Sequence, residues 1–321
     1  MGGVGRVTSI GIDIGGTSVR AGVVTPDGEL VAEIADRTPD TAKGIEDLLA
    51  GMVGHLRAGR EVTAVGLAVA GFISADCSRV MFAPHLAWRD SPVPARLTER
   101  VGLPVVMDHD VNCAAWAEYR SGAAAGAQVS LVIAVGTGIG AGLIIDGHIY
   151  RGRFGVAPEL GHLTVVPDGR LCGCGKRGCL ERYCSGTALV DDVRMRIGAG
   201  AQTPLAAKID SLTGRAVGAA ARAGDTVAIE AFAELGRWLG AGMAIAADVL
   251  DPEIIVIGGG VSSAAELFLP AAEAVLKEQL TGSEYRPAPT IAVAHFGAAA
   301  SAIGAALMAD EHYLRRVHNR V

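Results

Sequence analysis

One local pattern occurs twice along this chain, and it restricts the possible folds more than any other feature. Val-Thr-Ser-Ile-Gly-Ile-Asp-Ile (7–14) reads as a strand, Gly15-Gly16-Thr17 as a turn and the residues up to Val24 as a second strand. Pro26-Asp27-Gly28 then turns the chain into a third strand near residues 30–34. Apolar runs separated by such short glycine turns specify antiparallel neighbours, so a three-stranded meander is expected. The pattern restarts at residues 130–135 with a strand, Gly136-Thr137-Gly138-Ile139-Gly140 as the turn, a returning strand at 141–145, and Asp146-Gly147 as the next turn. Two halves opening alike imply a duplicated α/β unit suited to handling nucleotides. The chain has 321 residues, more than one hydrophobic core usually serves, so the two halves are expected to be two domains divided near residue 112.

Between these openings the spacing predicts a helix over 45–56, a buried strand over 62–69, a short strand over 104–107 and a helix opened by Asp110. Downstream, helices are expected at 185–197, 212–223 and 225–250, the last capped by Asp225 or Thr226. A strand over 254–257 closes on Gly258-Gly259-Gly260. A helix over 264–280, a strand over 290–294 and a helix from Ala298 through 314 complete the chain.

Composition narrows the functional classes. Half of the residues are apolar and 19% charged, as in a compact soluble protein, and 44 glycines suit a fold with many tight turns. A net charge of −6 without any run of five basic residues argues against a nucleic-acid partner. The segment Met-Gly-Gly-Val-Gly-Arg lacks the features of a signal peptide, and the apolar stretch 239–250 contains Asp248 and is too short to cross a bilayer. A cytoplasmic protein is expected. In that reducing setting clustered cysteines point to metal or catalysis rather than disulfides. Cys77 and Cys113, isolated in sequence, are expected to be buried thiols.

Four of the six cysteines fall in one stretch. It runs from Pro-Glu-Leu-Gly-His-Leu (158–163) to Leu-Cys-Gly-Cys-Gly-Lys-Arg-Gly-Cys-Leu-Glu-Arg-Tyr-Cys-Ser-Gly (171–186). Glycines at 173, 175 and 178 permit the turns that bring thiolates around one tetrahedral ion, so this is read as a zinc loop. On spacing alone the ligands are either His162 with three cysteines or the four cysteines including Cys184. With four protein ligands no coordination position stays open, and such an ion is structural.

Three glycine clusters are candidate phosphate or nucleoside contacts. At Asp13-Ile14-Gly15-Gly16-Thr17 the backbone N–H groups can surround phosphate oxygens, Thr17 adds a hydroxyl, Arg20 a cation, and Asp13 can hold Mg2+ through water. Gly136, Thr137 and Gly138 offer the same geometry. Gly258, Gly259, Gly260 and Ser262 follow a buried strand, where a nucleoside can approach the backbone closely. Each is equally well a plain turn when taken alone. None is a Walker A loop, and the first two lack the helix that a dinucleotide fingerprint requires.

Taken together these motifs resemble the ROK family of repressors, open reading frames and sugar kinases. The family's Asp-x-Gly-Gly-Thr-x-x-Arg/Lys stands at Asp13 to Arg20, its Glu-x-Gly-His at Glu159 to His162, and its Cys-x-Cys-Gly-x-x-Gly-Cys-x-Glu at Cys172 to Glu181. Within it the chain is similar to actinobacterial glucokinases. The resemblance implies an α/β fold of the actin-like, hexokinase-type (ribonuclease H-like) ATPase class, with two domains around a cleft. The smaller domain would span 1–112 and the larger 113–297, with the last helix, about 298–321, packing back on the smaller. It implies ATP-dependent transfer of phosphate to the 6-hydroxyl of D-glucose, with ATP, Mg2+ and structural Zn2+, and a homo-oligomer, dimer or tetramer.

The resemblance also implies roles for particular residues. His162, Cys172, Cys174 and Cys179 would hold the zinc, leaving Cys184 a spare thiol, and the second nitrogen of His162 would face the sugar. Glu159 and Glu181, which would otherwise read as solvated glutamates, accept from sugar hydroxyls. Asp110 in Asp108-His109-Asp110-Val111-Asn112 becomes the base that takes the proton of the attacking hydroxyl. Its alternative role is that of a helix cap, and the two are compatible. His109 stands where the family usually has a sugar-binding Asn, Asp108 is a structural neighbour, and Ala70-Gly71 borders the sugar. Other readings are a kinase for fructose, N-acetylmannosamine or allose, a sugar-responsive repressor, which would need a DNA-binding domain ahead of Asp13, or a sugar sensor without turnover.

Overall fold

The computed structural model describes residues 8–318. Val7, expected in the first strand, and residues 319–321, expected at the end of the last helix, lie outside the described residues. The chain forms two units, one of Met1–Gln128, Gly142–Pro158 and Ala298–Val321, the other of Val129–Ala141 and Glu159–Gly297.

The first unit opens with β1 (Thr8–Ile14), β2 (Ser18–Val24) and β3 (Leu30–Arg37), followed by α1 (Ala42–Arg57) and β4 (Val62–Val69). Short strands β5 (Phe72–Ile73), β6 (Val80–Phe82) and β7 (Arg89–Ser91) form a small separate sheet before α2 (Val93–Val101), β8 (Val105–His109) and α3 (Asp110–Ser121). Neither the small sheet nor α2 is foreseen by the apolar periodicity, because strands of two or three residues carry too few positions to show one. The main sheet has the order β3-β2-β1-β4-β8, with β1 antiparallel to β2 and parallel to β4. Ile10, Ile12 and Ile14 of β1 are fully buried and share a core with Ile45, Leu49 and Val53 of α1.

The C-terminal helix Ala300–His318 packs on β1 and β4 within this unit. Gly11 and Gly66 are register partners on these two strands, and the helix backbone comes directly against both. A Cβ on Gly66 would lie 1.8 Å from the Ala305 carbonyl oxygen, and one on Gly11 would lie 1.8 Å from that of Ala302. The helix reciprocates with Gly304, where a Cβ would fall 1.7 Å from the Cys113 carbonyl of α3. Because α3 is packed along this helix, the first unit continues to Gln128, and the division does not fall at residue 112. Cys113 is buried as expected, whereas Cys77 is only half-buried, held at a positive φ of 56° in the turn between β5 and β6.

The second sheet contains β9 (Val129–Val135), β10 (Ile139–Ile145), β11 (His148–Ile149), β12 (Ile254–Gly258) and β13 (Thr290–Val293) in the order β11-β10-β9-β12-β13. Position by position this repeats the first sheet, a meander of three strands followed by two that arrive after helices. The duplicated opening is thus realised as a duplicated strand order. Helices α4 (Glu181–Cys184), α5 (Gly186–Gly198), α6 (Gly214–Arg222), α7 (Thr226–Leu250) and α8 (Ala265–Gln279) complete the second unit. Asp225 caps α7 by accepting the Ala228 N–H at 2.8 Å, and Gly236 and Gly240 let α7 lie close against α8. Among the described residues no helix is long and apolar enough to cross a membrane.

Candidate active site

In the first unit the expected site residues cluster at the ends of β1, β4 and β8. The β1–β2 turn is closed by Gly15 N–H donating to Ser18 O at 3.0 Å, and Thr38 Oγ1 donates to Gly15 O at 2.6 Å. Gly16 is pressed on by His85, whose Cβ would lie 2.5 Å from an added Cβ, so a side chain here would displace the 83–88 segment. Thr17 is exposed at the tip. Asp13 is the register partner of Arg20 across the hairpin. Burial foremost, and then the Asp110 carboxylate, push Asp13 up to about 7, with Arg20 opposing. Two carboxylates from elements far apart in sequence thereby share one site.

Asp110 is the first residue of α3 and His109 its N-cap, which makes no side-chain cap. Asp110 Oδ1 accepts the Val111 N–H at 2.8 Å and lies 3.2 Å from His109 Nδ1. Asp108 is almost fully buried, at 1% exposure. It pairs with Arg151, whose Nε donates to Asp108 Oδ2 at 2.8 Å and whose Nη2 donates to the same oxygen. Ala70 follows β4, its N–H donating to Ile14 O at 3.5 Å, and Gly71 lies so close to Phe82 O that a Cβ there would be at 2.8 Å.

In the second unit His162 ends a short 3-10 turn, Leu160–His162, that begins after Glu159. Gly161 in this turn is required by the β9–β10 turn behind it, since a Cβ would come within 2.3 Å of Ile139 O. The ligating atoms of His162, Cys172, Cys174 and Cys179 all lie within 4.8 Å of one another. Cys184 is not part of this group, and its thiol instead donates to Leu180 O at 3.6 Å inside α4. Three thiols and an imidazole at this separation are a donor set compatible with a tetrahedral zinc site. Lys176 Nζ donates to His162 O at 2.6 Å and ties the loop to the histidine backbone.

Two glutamates flank this group. Glu159 Oε2 is 3.9 Å from His162 Nε2. Glu181, the first residue of α4, has Oε1 3.2 Å from Cys172 Sγ and 4.0 Å from His162 Nδ1, while Oε2 accepts the Ile139 N–H at 3.3 Å. Gly138 is small for the same reason, because a Cβ there would stand 2.5 Å from Glu181 Oε2. The glycine turn and the cysteine loop, separate motifs in sequence, are therefore joined through one carboxylate.

A cavity of about 500 Å3 opens in this unit, lined by Gly136, Thr137, Thr187, Arg215, Gly260 and Val261 among others. Gly186 N–H donates to Gly136 O at 2.8 Å and Thr187 Oγ1 to Thr137 O at 2.7 Å, so the start of α5 fixes the turn at one end. Arg194, Arg215 and Arg222 also line it, Arg194 lying 3.8 Å from Asp191 of the same wall and Arg222 pairing with Glu266 at 2.7 Å. Of the expected nucleotide residues, Gly136, Thr137 and Gly260 line this cavity, whereas Gly138, Gly258, Gly259 and Ser262 do not. Ser262 donates its hydroxyl to Gly259 O at 2.7 Å and stabilises the turn behind the wall. Thr187 and the three arginines were not legible as site residues, since isolated arginines on amphipathic helices carry no motif.

Relatives of known kind match most of the chain. A model of the ROK family matches residues 9–312. A glucokinase of Streptomyces coelicolor is 41% identical over 312 residues, spanning 94% of this chain and 98% of that protein. The crystal structure of a ROK family glucokinase from Streptomyces griseus in complex with glucose and AMPPNP superposes with a TM-score of 0.85 at 43% identity, covering 95% of this chain and 99% of that one. The DNA-binding transcriptional dual regulator NagC of Escherichia coli is 33% identical over 220 residues, 68% of this chain and 54% of its own length. The duplicated α/β architecture is that of the actin-like ATPases, and the chain belongs to the ROK family.

Proposed function

We propose that this protein is an ATP-dependent hexose kinase, a glucokinase, that transfers the γ-phosphoryl group of ATP to the 6-hydroxyl of D-glucose. Within the geometry, the observation that carries this reading is the pair Asp13 and Asp110. They stand at the end of β1 and the start of α3 in one unit, close enough for the Asp110 charge, after burial, to raise Asp13, and two such carboxylates suit a cation and a proton transfer. The similarity to glucokinases over nearly the full chain supports the same assignment.

Asp110 is the general base. Its Oδ1 is occupied by the Val111 N–H, which leaves Oδ2 for the sugar hydroxyl. Ala70 and Gly71 border the sugar, and His109 donates to a sugar hydroxyl in place of the family's Asn. Glu159, His162 and Glu181 receive the remaining hydroxyls. Asp13 would hold Mg2+, and Gly15, Gly16, Thr17 and Arg20 would receive phosphate oxygens together with Gly136, Thr137 and Gly138. The base and ribose lie in the cavity beside Gly260, with Gly258, Gly259 and Ser262 shaping its wall. His162, Cys172, Cys174 and Cys179 would hold a structural zinc ion, which would rigidify the loop without taking part in chemistry. The enzyme is a cytoplasmic homo-oligomer, dimer or tetramer, that binds sugar and ATP and no nucleic acid.

The test is a coupled assay of purified, zinc-replete protein with ATP, Mg2+ and a panel of glucose, fructose, N-acetylmannosamine and allose. Turnover is expected on glucose foremost. Preference for another hexose overturns the specificity, and inactivity on all overturns the kinase. A second reading, a sugar-responsive regulator, rests on the similarity to NagC, of which this chain spans 54%. Glucose binding by a folded protein without any turnover would favour it.

A further inference from the structure

The segment Gly142–Pro158 begins within β10, runs through β11 of the second sheet and groups with the first unit, where Gly142 lies against α3. Gly142 is small because a Cβ would stand 2.7 Å from the Ala115 Cβ and 2.8 Å from Val111 O of that helix. Farther along, Arg151 reaches Asp108 with two N–H donors, one of them at 2.8 Å, and donates Nη1 to Ile149 O at 3.3 Å. The other oxygen of Asp108 is fully used by the start of α3. Asp108 Oδ1 accepts the His109 N–H at 2.7 Å and the Asn112 side-chain amide at 2.9 Å. Asp108 and Asn112 are buried, at 1% and 3% exposure.

One carboxylate therefore binds the backbone immediately before Asp110 and the side chain two residues after it. His109, the N-cap, supplies no side-chain cap of its own, so Asp108 takes over the work of fixing the helix entry. A carboxylate this buried stays charged only with a partner, and Arg151 is that partner. Without it the Asp108 carboxylate loses the two donors that hold it in place, and its grip on His109 and Asn112 loosens.

We propose that Arg151 is a positioning residue for the base, acting through Asp108 to set the first turn of α3 from which Asp110 projects. This rests on the reading of Asp110 as the base. The chemistry depends on Asp110 meeting a hydroxyl at hydrogen-bond distance, and a misplacement of about 1 Å costs on the order of 10²-fold in rate. Glucose affinity draws on Glu159, His162 and Glu181 as well as His109, and so depends less on that turn than the chemistry does.

The test compares the parent protein, Arg151→Met, Arg151→Lys and Asp110→Asn, measuring kcat and KM for glucose at saturating ATP and Mg2+, glucose binding by tryptophan fluorescence, and the melting curve. For Arg151→Met a kcat about 10- to 100-fold below the parent is expected, with glucose binding changed by less than about threefold. Arg151→Lys keeps the charge without the two-donor fork and is expected to recover part of the lost kcat without reaching the parent. A folded Arg151→Met protein with parental kcat, a change confined to KM, or a fall in kcat that only mirrors the folded fraction overturns the proposal. If Arg151→Met does not fold, Arg151→Lys decides, and parental kcat there overturns it. Inactive parent protein, or active Asp110→Asn, would instead refute the reading on which the proposal rests.

Discussion

Asp110→Asn exchanges one carboxylate oxygen for an amide and tests the assignment of the base directly. The carbonyl oxygen of Asn can take over acceptance of the Val111 N–H, now at 2.8 Å, so the start of α3 keeps its shape. Removal of a general base costs about 10²–10⁴-fold in rate. The surroundings decide where in that range the variant falls. Asp13 is the neighbouring carboxylate, and at saturating Mg2+ it is engaged with the cation and does not stand in as the base. The loss therefore belongs to the upper part of the range, about 10³-fold or more, which corresponds to about 4 kcal/mol of barrier at 1.36 kcal/mol per decade. The assay follows glucose 6-phosphate through a coupled dehydrogenase at saturating ATP and Mg2+, with glucose binding measured in parallel by fluorescence. A kcat within about threefold of the parent, or a loss explained wholly by weaker glucose binding, refutes the reasoning.

Three further outcomes follow from the same geometry. Asp13 has a folded-state pKa raised to about 7 from the ordinary 3.8, so the folded chain holds a proton that the unfolded chain releases, and stability from this group is lost as pH rises between those values. In magnesium-free buffer Asp13→Asn should accordingly raise the melting temperature at pH 8 and leave it nearly unchanged at pH 4; an equal shift at both would contradict the burial of that charge. Cys174→Ser should lose bound zinc while Cys184→Ser keeps the parent content by elemental analysis, and zinc loss in the Cys184 variant would return that thiol to the ligand set. Gly66→Ala drives a methyl group into the Ala305 carbonyl, 1.8 Å away, and overpacking of this kind costs about 1–3 kcal/mol or more. Calorimetry should show a lower melting temperature, and an unchanged one would mean that the C-terminal helix does not rest on β4 as closely as described.

Much of the architecture was legible because it is written in local patterns. The strand Val62–Val69 and the start of α3 at Asp110 coincide with their expected limits, since a continuous apolar run and an acidic helix start are properties of neighbouring residues. The short strands β5, β6 and β7 and helix α2 were not foreseen. The division after Gln128 was also out of reach, because it depends on α3 lying along a helix almost two hundred positions away in the chain.

The site divides along the same line. Spacing alone could bring the cysteines and glycines into turns, since each turn is set by residues a few positions apart. Packing decided which donors converge: His162 enters the cysteine group and Cys184 turns to its own helix backbone. Packing also placed Arg151 on Asp108, Glu181 between the glycine turn and the cysteine loop, and Arg215 with Thr187 in the cavity wall. An arginine or glutamate carries no local mark of its partner, because charge pairing is set by which backbones meet in space. The sequence by itself determined the duplicated α/β plan, its glycine turns and a cysteine-rich loop; only the tertiary structure decided which donors gather around that loop, which buried ion pair stands behind Asp110, and where the two units divide.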